Sequence, residues 1–179
     1  MKDWKTLRAF GALAMITMLP SILSGQSPVD VLLIGDGRIG QVVIGMSIDS
    51  LYRTVHRERT RLIDRFREGL FDPAIEIRFG QASARPTILA EVTMSTCGLV
   101  VGRIEVYDPQ FHTASGLHVG STLADVRKQH QVKLSNEEGL RAYTDDLPMT
   151  FELAGDHPTA KVLAITVYRT SAPAACGSR

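Results

Sequence analysis

Hydrophobic and polar positions fall into two rhythms along this chain, one helical and one alternating. From Ser47 to Gly69 the apolar residues Ile48, Leu51, Tyr52, Val55, Leu62, Ile63, Phe66 and Leu70 recur at helical spacing. Projected at the helical angle, they form a stripe about 120° wide. Ser47 suits an N-cap, Asp49 the positive end of the helix dipole, and Gly69 with Pro73 a terminus. Arg59 alone falls on the stripe. Either the helix breaks near HRERT, giving helix-loop-helix, or Arg59 lies at the edge and snorkels. Three alternating runs follow, AIEIRF (74–79), TILAEVTM (87–94) and LVVGRIEVY (99–107), each with the period of two that marks a half-buried strand. Short links at Gly80, Pro86 and Cys97-Gly98 favour antiparallel neighbours.

The same order then recurs. STLADVRKQH (121–130) predicts a short helix with Leu123 and Val126 inward and a Thr122/Asp125 capping box. Strand runs follow at 140–144, 149–154 and 162–169, with turns at Pro148 and GDHP (155–158). Laying Ile44-Gly45-Met46-Ser47-Ile48 over Val119-Gly120-Ser121-Thr122-Leu123 aligns both N-caps and puts Leu51 on Val126. This predicts an internal repeat and an α+β fold. Two helix-plus-three-strand modules, about 29–108 and 109–171, form an antiparallel sheet with the helices packed on one face. They make one domain over 26–171, followed by a flexible tail over 172–179.

The first 25 residues differ in kind. Lys2, Lys5 and Arg8 precede an uncharged run over 9–23, then the small residues SGQS. This is the layout of a secretory signal peptide cleaved near Gly25. The run contains Pro20 and is shorter than the roughly 20 residues a membrane span needs. The expectation is a periplasmic or secreted protein with no integral membrane segment after cleavage. In an oxidising compartment the two cysteines, Cys97 and Cys176, can pair. The bond would close a loop of about 80 residues, worth roughly 4 kcal/mol on the chain-entropy model. The alternative is two unpaired thiols.

The stretch VLLIGDGRIGQVVIG (31–45) contains G-x-G-x-x-G after an apolar run, the spacing of a dinucleotide-binding loop. The residues that should open a helix, QVVIG, are β-branched, and the only acidic candidate at the right distance, Glu58, lies inside the helical pattern. Gly35, Gly37 and Gly40 therefore read as a turn between two short strands, and no cofactor is expected.

I-G-M-S-x-x-x-L (44–51) and V-G-S-T-x-x-x-V (119–126), each leading into a helix and then strands, resemble the repeats of the β-lactamase-inhibitor-protein family. They are also similar to the small outer-membrane assembly lipoproteins of the SmpA/OmlA type. DPQFHTASGLHVG (108–120) looks like a stretch found in exported proteins of unknown function. The resemblance implies a two-layer fold that binds through the open face of its sheet and is not an enzyme.

Candidate chemistry is sparse. Asp108, His112 and His118 match no compact metal spacing. Cys97 could pair on paper with His112 or His118 as nucleophile and base. Glu76, Glu91, Glu105 and Glu152 lie on strand runs, where they suit either a solvated face or the paired carboxylates of a glycosidase. Arg53, Arg57, Arg61 and Arg65 recur at every fourth residue and form the candidate binding surface. They read as a salt-bridged helix face or as a site for an anionic surface. A formal net charge of +1 gives no case for nucleic acid. The reading is a non-enzymatic binding or inhibitor-like protein of the cell envelope. Its partner would be an envelope or secreted protein or an anionic surface. The alternative is a secreted hydrolase.

Overall fold

The structure is a computed structural model that describes residues 31–67, 70–79, 87–137 and 139–168. The expected signal peptide, Cys176 and the expected tail over 172–179 lie outside the described residues.

The described residues begin with three short strands, β1 (Leu33–Gly35), β2 (Arg38–Ile39) and β3 (Val42–Val43). The glycine-rich stretch forms the tight turns between them, with Gly37 at φ +67° and Gly40 at φ +57°. A side chain at Gly40 would collide with the carbonyl oxygen of Val31, so packing alone accounts for this glycine. No helix opens here; the next helix starts at Ile48.

That helix, α1 (Ile48–Val55), is shorter than the spacing predicts. The Ser47 hydroxyl caps it, accepting from the Ser50 N–H at 3.2 Å, and Leu51 and Val55 are buried one turn apart. It stops at His56, the one non-glycine residue with positive φ (+63°) among those described. A 3₁₀ turn (Arg57–Arg59) follows, and then strand β4 (Thr60–Arg67). The expected helix to Gly69 is therefore wrong beyond residue 55. Ile63 and Arg65 alternate with Leu62 and Phe66, and all eight residues of β4 pair with β5 (Leu70–Ile77). Pro73 lies inside β5 and terminates no helix.

Next come β6 (Ile88–Ser95), β7 (Gly98–Val106) and the two-residue β8 (His112–Thr113). The second helix, α2 (Leu123–Gln129), has the expected capping box: the Asp125 N–H donates to the Thr122 hydroxyl at 3.1 Å, and the Thr122 N–H donates to the Asp125 carboxylate at 2.8 Å. Among the described residues four further strands follow, β9 (Val132–Ser135), β10 (Arg141–Thr144), β11 (Met149–Leu153) and β12 (Val162–Val167).

The expected α+β class is corrected by this architecture. Among the described residues the fold is mostly β, with a four-stranded sheet β3-β2-β1-β8 and an eight-stranded sheet β4-β5-β6-β7-β12-β11-β10-β9. The helices are only eight and seven residues long and form no layer of their own. Each is followed not by three strands but by four that pair consecutively, β4–β7 after α1 and β9–β12 after α2, and the last strand of each run, β7 and β12, join antiparallel at the middle of the large sheet. One core lies between the large sheet and the rest. Ile34, Ile39 and Val42 from the small sheet, Leu51 and Val55 from α1, and Leu123 and Val126 from α2 pack with Ile75, Ile104, Phe151 and Ile165.

Among the described residues no helix is long and apolar enough to cross a membrane. Cys97 sits between β6 and β7 and is disulfide-bonded; Cys176, its expected partner, lies outside the described residues. An intact-mass measurement should find the untreated protein lighter than the reduced protein by one hydrogen per cysteine. Full thiol labelling without reductant would contradict this.

Candidate binding face

Strand register sorts the large sheet's side chains onto two faces. Leu62, Ile75, Ala90, Ile104, Val167 and Met149 lie in one cross-strand row, on the face turned to the core. The adjacent row, Arg61, Glu76, Leu89, Glu105, Thr166 and Thr150, points the other way. No residue of this second row belongs to the core cluster.

An ion-pair network crosses this outer face from the sheet edge to its centre. Arg65 on β4 reaches Glu91 on β6 at 3.0 Å and Glu105 on β7 at 2.8 Å. Arg103 donates to Glu105 at 2.7 Å, and the Tyr107 hydroxyl donates to Glu105 at 2.6 Å. Glu105 is in line with Arg61, three strands away, and Arg65 lies four residues further along β4. On a flat sheet their Cα atoms would be about 20 Å apart, at ~4.8 Å per strand and ~3.3 Å per residue. Extended arginine and glutamate side chains joined by a hydrogen bond cannot span that. The β4–β5 pair must therefore bend toward this face where it leaves the β5–β6 ladder, making the face concave along this diagonal. Ala74, Ala164, Thr150 and Thr166 are buried although they face away from the core.

The electrostatics follow from this geometry. Burial by itself would push the Glu105 carboxyl up. The Tyr107 hydroxyl and the Arg65 and Arg103 guanidinium groups more than offset it and hold the group below the ordinary glutamate range. Burial and the adjacent Glu105 carboxylate push the Tyr107 phenol up. Glu105 thus accepts from three donors at once. A glycosidase acid needs a raised pKa, which Glu105 does not have. On the far side of the sheet the face carries Tyr143 and Tyr168, both half-buried, beside Thr150 and Thr166. Burial, and then the proximity of Tyr143, raises the Tyr168 pKa.

The four candidate arginines do not share one helix face. Arg53 is on α1, donating to the Ser50 hydroxyl at 3.0 Å, and Arg57 stacks in the 3₁₀ turn, 5.7 Å from the Tyr52 ring centroid. Arg61 and Arg65 are on β4, and of the four only Arg65 joins the network. The histidines are engaged locally: His112 Nδ1 is 3.2 Å from the Gln110 carbonyl and His118 Nδ1 is 3.0 Å from that of Gly116. The disulfide leaves Cys97 no thiol for a nucleophilic role. Among the described residues no group of three or more His, Cys, Asp or Glu could hold a metal ion. Arg103 and Tyr107 were not among the expected site residues. Their signal was the alternation Arg103-Glu105-Tyr107 on one strand, whose partner Arg65 was assigned to a helix.

No family model matches the chain, and no curated protein matches it. Among solved structures the chain is similar to YfeY, an uncharacterised protein from Escherichia coli. The TM-score is 0.56 and the identity 12%, over 75% of this chain and 99% of that one. At that identity the likeness concerns the fold alone.

Proposed function

We propose that the protein is a non-enzymatic binding protein of the cell envelope that holds a partner protein against the concave face of its large sheet. The observation that carries this is the Arg65–Glu105 ion pair, which requires a curled face whose charges are largely neutralised within the network. Such a face offers a polyanion little net attraction. It does offer partly exposed tyrosines over small residues, the rigid amphipathic contacts that protein interfaces favour. The basic and then apolar start of the chain supports export, and the disulfide at Cys97 suits an oxidising compartment.

The test is capture from envelope extract with the wild type and with a Tyr143→Ala/Tyr168→Ala variant. Buried interface tyrosines often contribute about 2 kcal/mol each, so the variant should retain less than a tenth of the captured partner. Equal capture by both proteins would refute the concave face as the binding surface.

A further inference from the structure

The opposite face of the large sheet, which elsewhere is closed by the core, is uncovered at one end. The β5–β6 ladder stops at Ala74↔Glu91, next to Pro73, which has no N–H to donate. Beyond that point β4–β5 and β6–β7 continue as two hairpin arms. Phe66 pairs with Phe71 on one arm, ring centroids 5.1 Å apart, and Met94 pairs with Leu99 on the other. With Leu62, these side chains lie on the core-facing side by register, yet they are 51–74% exposed.

We infer that this uncovered end is a self-association surface, closed by the same surface of a second copy of this chain across a two-fold axis. At ~200 Å² for a large side chain, the exposed apolar area is about 600 Å² per chain, at the upper limit of what monomers leave open. Two such surfaces together bury roughly 1,200 Å², the lower bound for a stable protein interface. The patch fits a second copy better than an anionic lipid surface, because Asp64 is the one charged residue of β4–β7 on this face among those described. The arms stack face to face. An edge-to-edge continuation of β4 that matched Leu62 with Phe66 would set Asp64 directly against Asp64, a repulsive cross-strand pair. Because the patch and the concave face lie on opposite sides of the sheet, the dimer leaves both concave faces open, and the inference stands apart from the binding reading.

Sedimentation velocity of the full oxidised protein over a dilution series, with hydroxyl-radical footprinting of Phe66, Phe71 and Met94, tests this. The expected result is a dimer at the concentrated end of the series. It should dissociate on dilution, with labelling of those three residues rising as it does so. A Phe66→Lys/Met94→Lys variant should be monomeric throughout, while Tyr143→Ala/Tyr168→Ala stays dimeric. A wild-type monomer at every concentration would overturn the inference. So would protection that does not change with dilution, which would mean that the chain's own remaining residues cover the patch, or a dimer that survives both lysines. If the double-lysine variant does not fold, the wild-type dilution series alone decides.

Discussion

Replacing Phe151 by alanine is expected to cost about 3–5 kcal/mol of folding stability. Phe151 is fully buried at the centre of β11, opposite Ile165 on one side and Ala142 on the other. Its row continues through Val106, Ile88 and Ile77, so the ring lies where both halves of the large sheet meet the core. Ala142 is too small to fill the space the ring would leave, and the strands around it are held by their ladders. The loss should therefore contain both the transfer free energy and a cavity term. Urea unfolding monitored by circular dichroism reads it directly. A domain of this size should also melt roughly 10 °C lower. A loss below about 1 kcal/mol would mean that Phe151 is not at the centre of the core.

Glu105→Leu should be the most costly change on the concave face, at roughly 3 kcal/mol near neutral pH. The substitution leaves Arg65 and Arg103 facing each other without the carboxylate between them, and strands the Tyr107 hydroxyl. Adding Arg65→Met should recover part of the loss, because apolar replacement of both partners removes the uncompensated charge. The pH dependence has a definite sign. The Glu105 pKa is lower in the folded protein than in the unfolded one, where it is about 4.3. Its contribution is therefore complete above that value and is lost as pH falls through the lowered folded value. The stability gap between wild type and Glu105→Leu should be widest at pH 7 and narrow below about pH 4. A gap that widens in acid would contradict the network as described.

Much of the sheet is legible in the sequence, because a period of two has few rival explanations. The runs in β6, β7, β10, β11 and β12 each form a strand close to where the sequence places them, and the 74–79 run falls in the second half of β5, a strand that starts four residues earlier. The Thr122/Asp125 box marks α2 for an equally local reason. The stretch from His56 to Arg67 misleads because a spacing of four residues serves both geometries. It is close to one helical turn and also two strand repeats, so Arg61 and Arg65 share a face either way. Leu62, Ile63 and Phe66 fit a helical stripe, whereas the strand leaves Leu62 and Phe66 largely exposed. Sequence reasoning tends to place apolar residues inside, and here that habit selects the wrong element. The candidate site is less legible for a different reason. Arg65 and Glu105 are 40 residues apart, and the bend of the β4–β5 pair toward β7 brings them together. Alternating charge on a strand looks the same whether the face is solvated or folded in upon itself.

The junction between the two halves of the large sheet bears on how the chain folds. Every other neighbour in that sheet is also the neighbouring strand in sequence, so the ladders on either side can zip locally. The β7–β12 ladder alone joins distant segments, through Val106↔Ile165, Glu105↔Thr166 and Ile104↔Val167. Closing it must bring together residues about 60 positions apart, a loop-entropy cost that the local hairpins do not bear. Each run of strands should therefore gain structure before the two are joined. The rate-limiting step is expected to be this closure, and substitutions at Ile104 or Ile165 should slow refolding more than those in the outer hairpins.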